Sequence, residues 1–218
     1  MIRSKFDSEL EKLNSDLILM GAMCEEAISG VIRALETDDK ALAKKLVSED
    51  DKIDMKEREI ENECLKLMLQ QQPVAKDLRL ISSAIKMITD MERIGDQAAD
   101  IAEIVFFANL SAHISRPRLI DMSQATAKMV TESIDAFVRR DLELARKVRG
   151  DDDIVDALFR DVRGDVIASI TNKTGKGEEA VDIIMIAKYF ERIGDHATNI
   201  AEWVEFAITG NHPVWSDL

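Results

Sequence analysis

The sequence predicts an all-α protein made of two tandem, sequence-related three-helix bundles, six helices in all, lying side by side. Three observations predict it. First, the chain contains one stretch twice: Glu92–Ala108 and Glu191–Ala207 stand 99 positions apart and agree at 12 of 17 residues, including Glu-Arg-Ile-Gly-Asp and Ile-Ala-Glu. Second, apolar residues recur every three or four positions through long segments, the period of a helix with one buried face. Third, only three prolines and 5% aromatics occur in 218 residues. Leu, Ile, Ala, Met, Glu and Lys dominate instead, all helix-forming or helix-compatible. The repeat divides the chain into a first bundle, 1–114, and a second, 115–218.

The first helix is expected from about Ser4 to Leu35, through Leu10, Leu13, Leu17, Met20, Cys24, Ile28 and Val31. Thr37-Asp38-Asp39 supplies a turn and an N-cap, because carboxylate oxygens accept from the free amides of a helix start. A second helix runs from about Lys40 to Gln71 through Leu42, Leu46, Ile53, Ile60, Cys64 and Leu67, and Pro73 ends it. The third starts near Ala75 and carries the first copy of the repeat to about Ala112. Helices of about 30 residues are about 45 Å long, so the three form an elongated up-down-up bundle. Ser111–Pro117 is the seam between halves. A fourth helix follows from about Leu119 to Arg139, a fifth from Leu142 to Thr171 and a sixth from Glu178 to Thr209. Asp141–Val148 matches Asp39–Leu46 at an offset of 102. The loop Asn172–Gly177 has lysines and glycines but lacks the frame of a phosphate loop.

With 29 basic and 42 acidic residues the net charge is −13, which disfavours nucleic acid and anionic lipid as partners. The start MIRSKFDSELEKLNSD has no apolar core of a secretory signal, and no stretch approaches the ~18 apolar residues of a membrane span. A soluble, cytoplasmic protein without membrane insertion is expected. Cys24 and Cys64 sit at apolar helical positions and read as core residues.

Chemistry concentrates on the repeat. At about 100° per residue, Glu92, Asp96, Asp100 and Glu103 fall within about 80° of one another. They form an acidic stripe opposite Ile94, Ala98, Ile101, Ala102 and Val105. The second copy places Glu191, Asp195, Asn199 and Glu202 opposite Ile193, Ala197, Ile200, Ala201 and Val204. A glycine inside a helix costs about 1 kcal/mol relative to alanine, so Gly95 and Gly194 suggest close helix approaches. The offset of 102 adds Asp50 and Asp54, matched by Asp152 and Asp156, so each half holds two carboxylate pairs at i and i+4. Like charges at that spacing destabilise a helix by about 0.2–0.5 kcal/mol per pair and call for compensation. One solution is a hard cation, Mg²⁺, Mn²⁺ or iron, in an oxygen-only ligand set. The other is pairing with Arg58, Arg93, Arg160 and Arg192. A ferritin-like di-iron enzyme needs Glu-x-x-His motifs, and none of His113, His196 and His212 follows a glutamate at that distance. His196 corresponds to Gln97 in the first copy and reads as incidental. No catalytic triad, Rossmann glycine pattern or P-loop is present either.

ERIGDQAADIAE, ERIGDHATNIAE, QQPVAKDLRLIS at Gln71–Ser82 and the two Asp-xxx-Asp pairs together resemble the PhoU family of phosphate-signalling regulators. The resemblance spans essentially the whole chain. It implies two three-helix bundles side by side, usually in a homodimer, acting without catalysis as a negative regulator. Its implied partners are the ATPase subunit of the phosphate ABC transporter and a sensor histidine kinase. It also implies that the acidic motifs of some members hold iron or zinc. The matching positions are Asp50, Asp54, Glu92, Asp96, Asp152, Asp156, Glu191 and Asp195, with Asp100 and Asn199 one turn on. Three departures set the halves apart. Asn199 replaces Asp100, Phe159 and Arg163 replace Glu57 and Glu61, and QQPVAKDLR has no counterpart in the second half. The first half is therefore expected to hold the stronger metal site. A metal-storage or metal-dependent hydrolytic bundle without a phosphate-signalling role, and a helical adaptor for an unrelated transporter, are the alternatives.

Overall fold

A computed structural model describes residues 2–70, 73–108, 110, 116–173 and 177–213. Its elements are α1 (Ile2–Thr37), α2 (Lys40–Glu49), α3 (Asp51–Gln70), α4 (Ala75–Phe107), α5 (Arg116–Arg139), α6 (Leu142–Thr171) and α7 (Gly177–Thr209). The described residues form helices and the short turns between them, with no strand. The apolar row of α1, Leu13, Leu17, Met20, Cys24, Ile28, Val31 and Leu35, is buried, as the rows of α4 and α7 are. Each fully buried large aliphatic side chain contributes about 1.5–3 kcal/mol, and these rows hold the bundles together.

Both halves turn their first corner in the same way. Asp38 and Arg140 each adopt a left-handed backbone with φ of 53°. The next residue then caps the following helix: the Leu42 amide donates to Asp39 Oδ1 at 2.9 Å, and the Leu144 amide to Asp141 Oδ1 at 3.0 Å. The expected second helix is interrupted at Asp50, dividing it into α2 and α3. Asp50 keeps helical dihedrals, and the Ile53 amide donates to the Asp50 carbonyl at 2.9 Å, a tightened three-residue bond. Its counterpart α6 runs unbroken.

The third helix ends earlier than expected. Ala108 is extended at ψ 152°, so α4 stops at Phe107, and Ala112 lies outside the described residues, as do Gln71, Gln72 and most of the Ser111–Pro117 seam. The reason is a residue distant in sequence: Lys40 Nζ donates to the Val105 and Ala108 carbonyls, a cation closing the negative end of the helix.

Among the described residues, two helix pairs join the halves. Helices α4 and α7 pack antiparallel, with Asp90 opposite Asn199 and Asp100 opposite Tyr189, so repeated positions meet across a pseudo-twofold axis. Helix α1 lies on α5, where a Cβ on Gly21 would sit 2.5 Å from Ile134 Cδ1. Cys24 and Cys64 are buried and free, with burial pushing both thiols up to about 12. No described helix is long and apolar enough to cross a membrane.

Candidate metal centre

The stripe on α4 is laid out as its spacing dictates: Ile94, Ala98, Ile101, Ala102 and Val105 are buried, while Glu92, Asp96 and Asp100 are half-buried and Glu103 exposed. Helix α3 lies alongside α4, and Gly95 brings it close. A Cβ there would stand 2.9 Å from Ile53 Cδ1 and 3.3 Å from Asp50 Oδ1. One oxygen each from Asp54, Glu92 and Asp96 then lies within 4.8 Å of the other two.

This triad fits a hard cation. Asp54 Oδ1 is buried with no hydrogen bond, and an oxygen removed from water without a donor is costly unless a positive charge faces it. Glu92 Oε2 is buried likewise, with Arg93 Nε at 3.3 Å but no hydrogen bond between them. The arginine solution is realised in part. Arg93 Nη1 donates to Asp96 Oδ2 at 2.9 Å, and Arg58 Nη2 lies 3.8 Å from Asp54 Oδ2. Both guanidinium side chains are more than half exposed, where such pairs contribute little, and neither reaches Asp54 Oδ1.

The other first-half carboxylates feel the same crowding. Burial, then Asp96 and Asp54, push Asp50 up to about 6. Asp50 also lines a cleft of about 130 Å³ between α1, α2, α3 and α4. Burial raises Glu92, and Asp96 adds to this against the pull of Arg93. Burial raises Asp100 too, opposed by the hydrogen bond that Tyr189 donates to it.

The second half resolves its charges differently. Asp152 is pushed up to about 6 by burial and then by Asp195 and Asp156, as its counterpart Asp50 is. Asp195 is more open as a residue than Asp96, but burial of its carboxyl and then Glu191 raise it as well, against Lys188. Among the described residues, Asp156, Glu191 and Asp195 do not close into an oxygen triad like that of the first half. Instead Lys188 Nζ donates to Glu191 Oε2 and lies 5.6 Å from the centre of the Phe159 ring. Farther along, Arg149 Nε is 3.6 Å from Glu202 Oε1, and Arg149 and Arg146 both hold Glu205. Asn199 points away from this set: its Nδ2 donates to Asp90 Oδ1 at 3.1 Å.

Of the ten residues named from sequence, the structure thus gathers Asp54, Glu92 and Asp96 to within 4.8 Å, whereas Asp152, Asp156, Glu191 and Asp195 lie near enough to raise one another without closing to that distance. Two groups escaped the sequence reading. His196 is not incidental, since its Nδ1 lies 2.8 Å from Asp90 Oδ1 across the α4–α7 contact. Asp90 and Tyr189 occupy one repeat position and each binds a polar residue of the opposite copy; their shared position was the available signal. Within QQPVAKDLR, Arg79 packs against Gly210 at the end of α7, 3.7 Å from where a Cβ would be, and so belongs to the junction between halves.

The family model described as "PhoU domain" matches the chain twice, at residues 17–105 and 119–204. A phosphate-specific transport system accessory protein PhoU homolog of Clostridium acetobutylicum is 38% identical over 212 residues, 96% of this chain and 97% of that one. PhoU homolog 1 of Thermotoga maritima is 35% identical, covering 95% and 90% of the two chains. Among solved structures, PhoU from Pseudomonas aeruginosa superposes with a TM-score of 0.89 at 34% identity, over 94% of this chain and all of that one. The regulatory protein PhoU from Streptococcus pneumoniae gives the same TM-score at 25% identity, over 95% and 98% of the two chains.

Proposed function

Since this chain belongs to the PhoU family, we propose that it is a cytoplasmic, non-enzymatic accessory regulator of phosphate transport. In this reading it restrains phosphate uptake and phosphate-starvation signalling as a homodimer, by binding the ATPase subunit of the phosphate ABC transporter and a sensor histidine kinase. The reading is supported by relatives named as phosphate-specific transport system accessory proteins along nearly their whole length. The single observation that carries its mechanism is the gathering of Asp54, Glu92 and Asp96 on two neighbouring helices.

Those three residues would hold the metal, with Asp50 and Asp100 beside them as further negative charge. A bound ion supplies positive charge that offsets carboxylate repulsion and ties α3 to α4. Oxygen-only ligands favour magnesium, manganese or iron, with zinc the poorer match. The chain's own part is to hold the carboxylates in place: Gly95 sets the helix separation, and the buried rows beneath fix the face that partners meet.

The test is Asp96→Ala/Asp195→Ala, one motif carboxylate from each half. Binding to purified transporter ATPase subunit is expected to weaken about tenfold or more, while circular dichroism and Tm show an intact bundle. Elemental analysis of protein purified without chelator should show stoichiometric metal that the variant has lost. Unchanged partner affinity in a folded variant refutes the adaptor mechanism.

A further inference from the structure

The repeat places a carboxylate set in each half, and among the described residues only the first closes into an oxygen triad that fits a metal ion. Lys188 stands at the position of Thr89, and Phe159 at the position of Glu57. In the first half Thr89 Oγ1 donates to Glu57 Oε1 at 3.4 Å, so that corner holds a neutral donor and a carboxylate. In the second half the same corner holds an ammonium and an aromatic ring, with Lys188 Nζ bonded to Glu191 Oε2 and 5.6 Å from the ring centre of Phe159. One negative charge has gone and one positive charge has arrived. A ring face attracts a cation through its quadrupole, so the ammonium is bracketed between a carboxylate and a π-face.

We infer that Lys188 is the resident cation of the second carboxylate set, occupying the place a metal ion would take and confining metal binding to the first half. The inference rests on the proposal that Asp54, Glu92 and Asp96 hold a metal. Lys188 precedes Glu191 by three residues on one helix, a spacing that places the two side chains side by side. Being part of the chain, the ammonium is always present, whatever the supply of metal. A divalent ion entering beside it meets like charge and must displace it from Glu191. Asn199 in place of Asp100, and Arg149 on Glu202, further reduce the negative charge that would draw such an ion in, leaving Asp152, Asp156 and Asp195 as its acids.

The test uses the full chain, stripped with chelator, dialysed and titrated with Mn²⁺ by calorimetry, with elemental analysis of the loaded protein. Wild type is expected to bind one equivalent. Lys188→Thr/Phe159→Glu, which restores the first-half corner, is expected to bind two. Lys188→Met keeps the aliphatic stem over Phe159 without its charge, protecting the fold, and is expected to gain a second, weaker equivalent. The converse change Thr89→Lys should weaken the first site at least tenfold. The inference is overturned if both Lys188 variants keep one equivalent at wild-type affinity, or if wild type binds two equal ions. A wild type that binds none refutes the first-half reading instead. The role of Lys188 is then decided by Tm: millimolar Mn²⁺ that raises Tm in the Lys188 variants but not in wild type upholds it, and no rise in either overturns it.

Discussion

The two halves share a turn, a cap, a buried row and a motif, yet they stabilise their crowded acids in opposite ways. In the first, Asp54, Glu92 and Asp96 converge and leave a buried oxygen without a donor. In the second, Lys188 lies against Glu191 and Arg149 against Glu202. The residues that determine chain path, Asp39 and Asp141 at the caps and Asp38 and Arg140 at the left-handed turns, keep their geometry. The side chains that only balance charge have diverged. Backbone geometry is shared by everything packed on it, whereas a surface carboxylate can be neutralised by any nearby cation.

The largest difference expected between the halves is steric. A methyl on Gly95 meets Ile53 at 2.9 and 3.2 Å, where Ile53 is itself buried and β-branched. On Gly194 it meets Val155 at 3.4 Å, an ordinary contact. Gly95→Ala is expected to lower stability by about 1–3 kcal/mol, as overpacking does. Gly194→Ala should be neutral or should raise stability by up to about 1 kcal/mol through helix propensity. Chemical denaturation of both variants measures the difference, and equal losses would show that the two helix approaches are equally tight.

How far each feature could be read from sequence follows from its locality. The helices, the Asp39 and Asp141 caps and the acidic face of α4 are local patterns, and the sequence shows them. The end of α4 depends on Lys40, 65 residues before Val105 in the chain, and local propensity carries no trace of it. The break at Asp50 leaves the dihedrals helical and the apolar row intact, so no periodicity changes there. Four arginines were the expected compensators. Arg58 and Arg93 reach carboxylates, but Arg160 Nε donates to the Asp156 carbonyl at 3.2 Å, and the cation at Glu191 is a lysine. Lys188 over Phe159 requires knowing how α6 lies on α7, which the repeat does not reveal.

A pH titration separates the halves by what a metal ion does to each. Asp50 and Asp152 are both raised from the ordinary 3.8 to about 6 in the folded chain. Their contribution to stability is therefore complete below about 3.8 and is lost as pH rises through about 6. In chelator, Asp50→Asn and Asp152→Asn should each have a higher Tm than wild type at pH 7.5, with the gain gone by pH 4. Added Mn²⁺ should reverse the sign for Asp50 alone, because the cation competes with protons and favours its charged form. A reversal at Asp152 as well would show that the second half takes metal despite Lys188.

The smallest effects lie where the halves cross, at a single repeat position carrying different residues. Asp90 accepts from Asn199 Nδ2 at 3.1 Å and faces His196 Nδ1 at 2.8 Å, whereas Tyr189 makes one bond, to Asp100. Hydrogen bonds contribute about 0.5–1.5 kcal/mol each, so Asp90→Ala should cost about 1–2 kcal/mol and Tyr189→Phe about 0.5–1. The two substitutions also differ in kind. Asp90→Ala breaks a tie between halves and leaves the acidic stripe untouched, so Mn²⁺ affinity should stay within twofold of wild type. Tyr189→Phe removes a donor that holds Asp100 in its charged form, one turn from Asp96, so it should shift the pH dependence of Mn²⁺ binding upward while lowering Tm less than Asp90→Ala does. If Asp90→Ala weakens Mn²⁺ binding as much as Tyr189→Phe does, the crossing acts on the site through helix position rather than through the charge of Asp100.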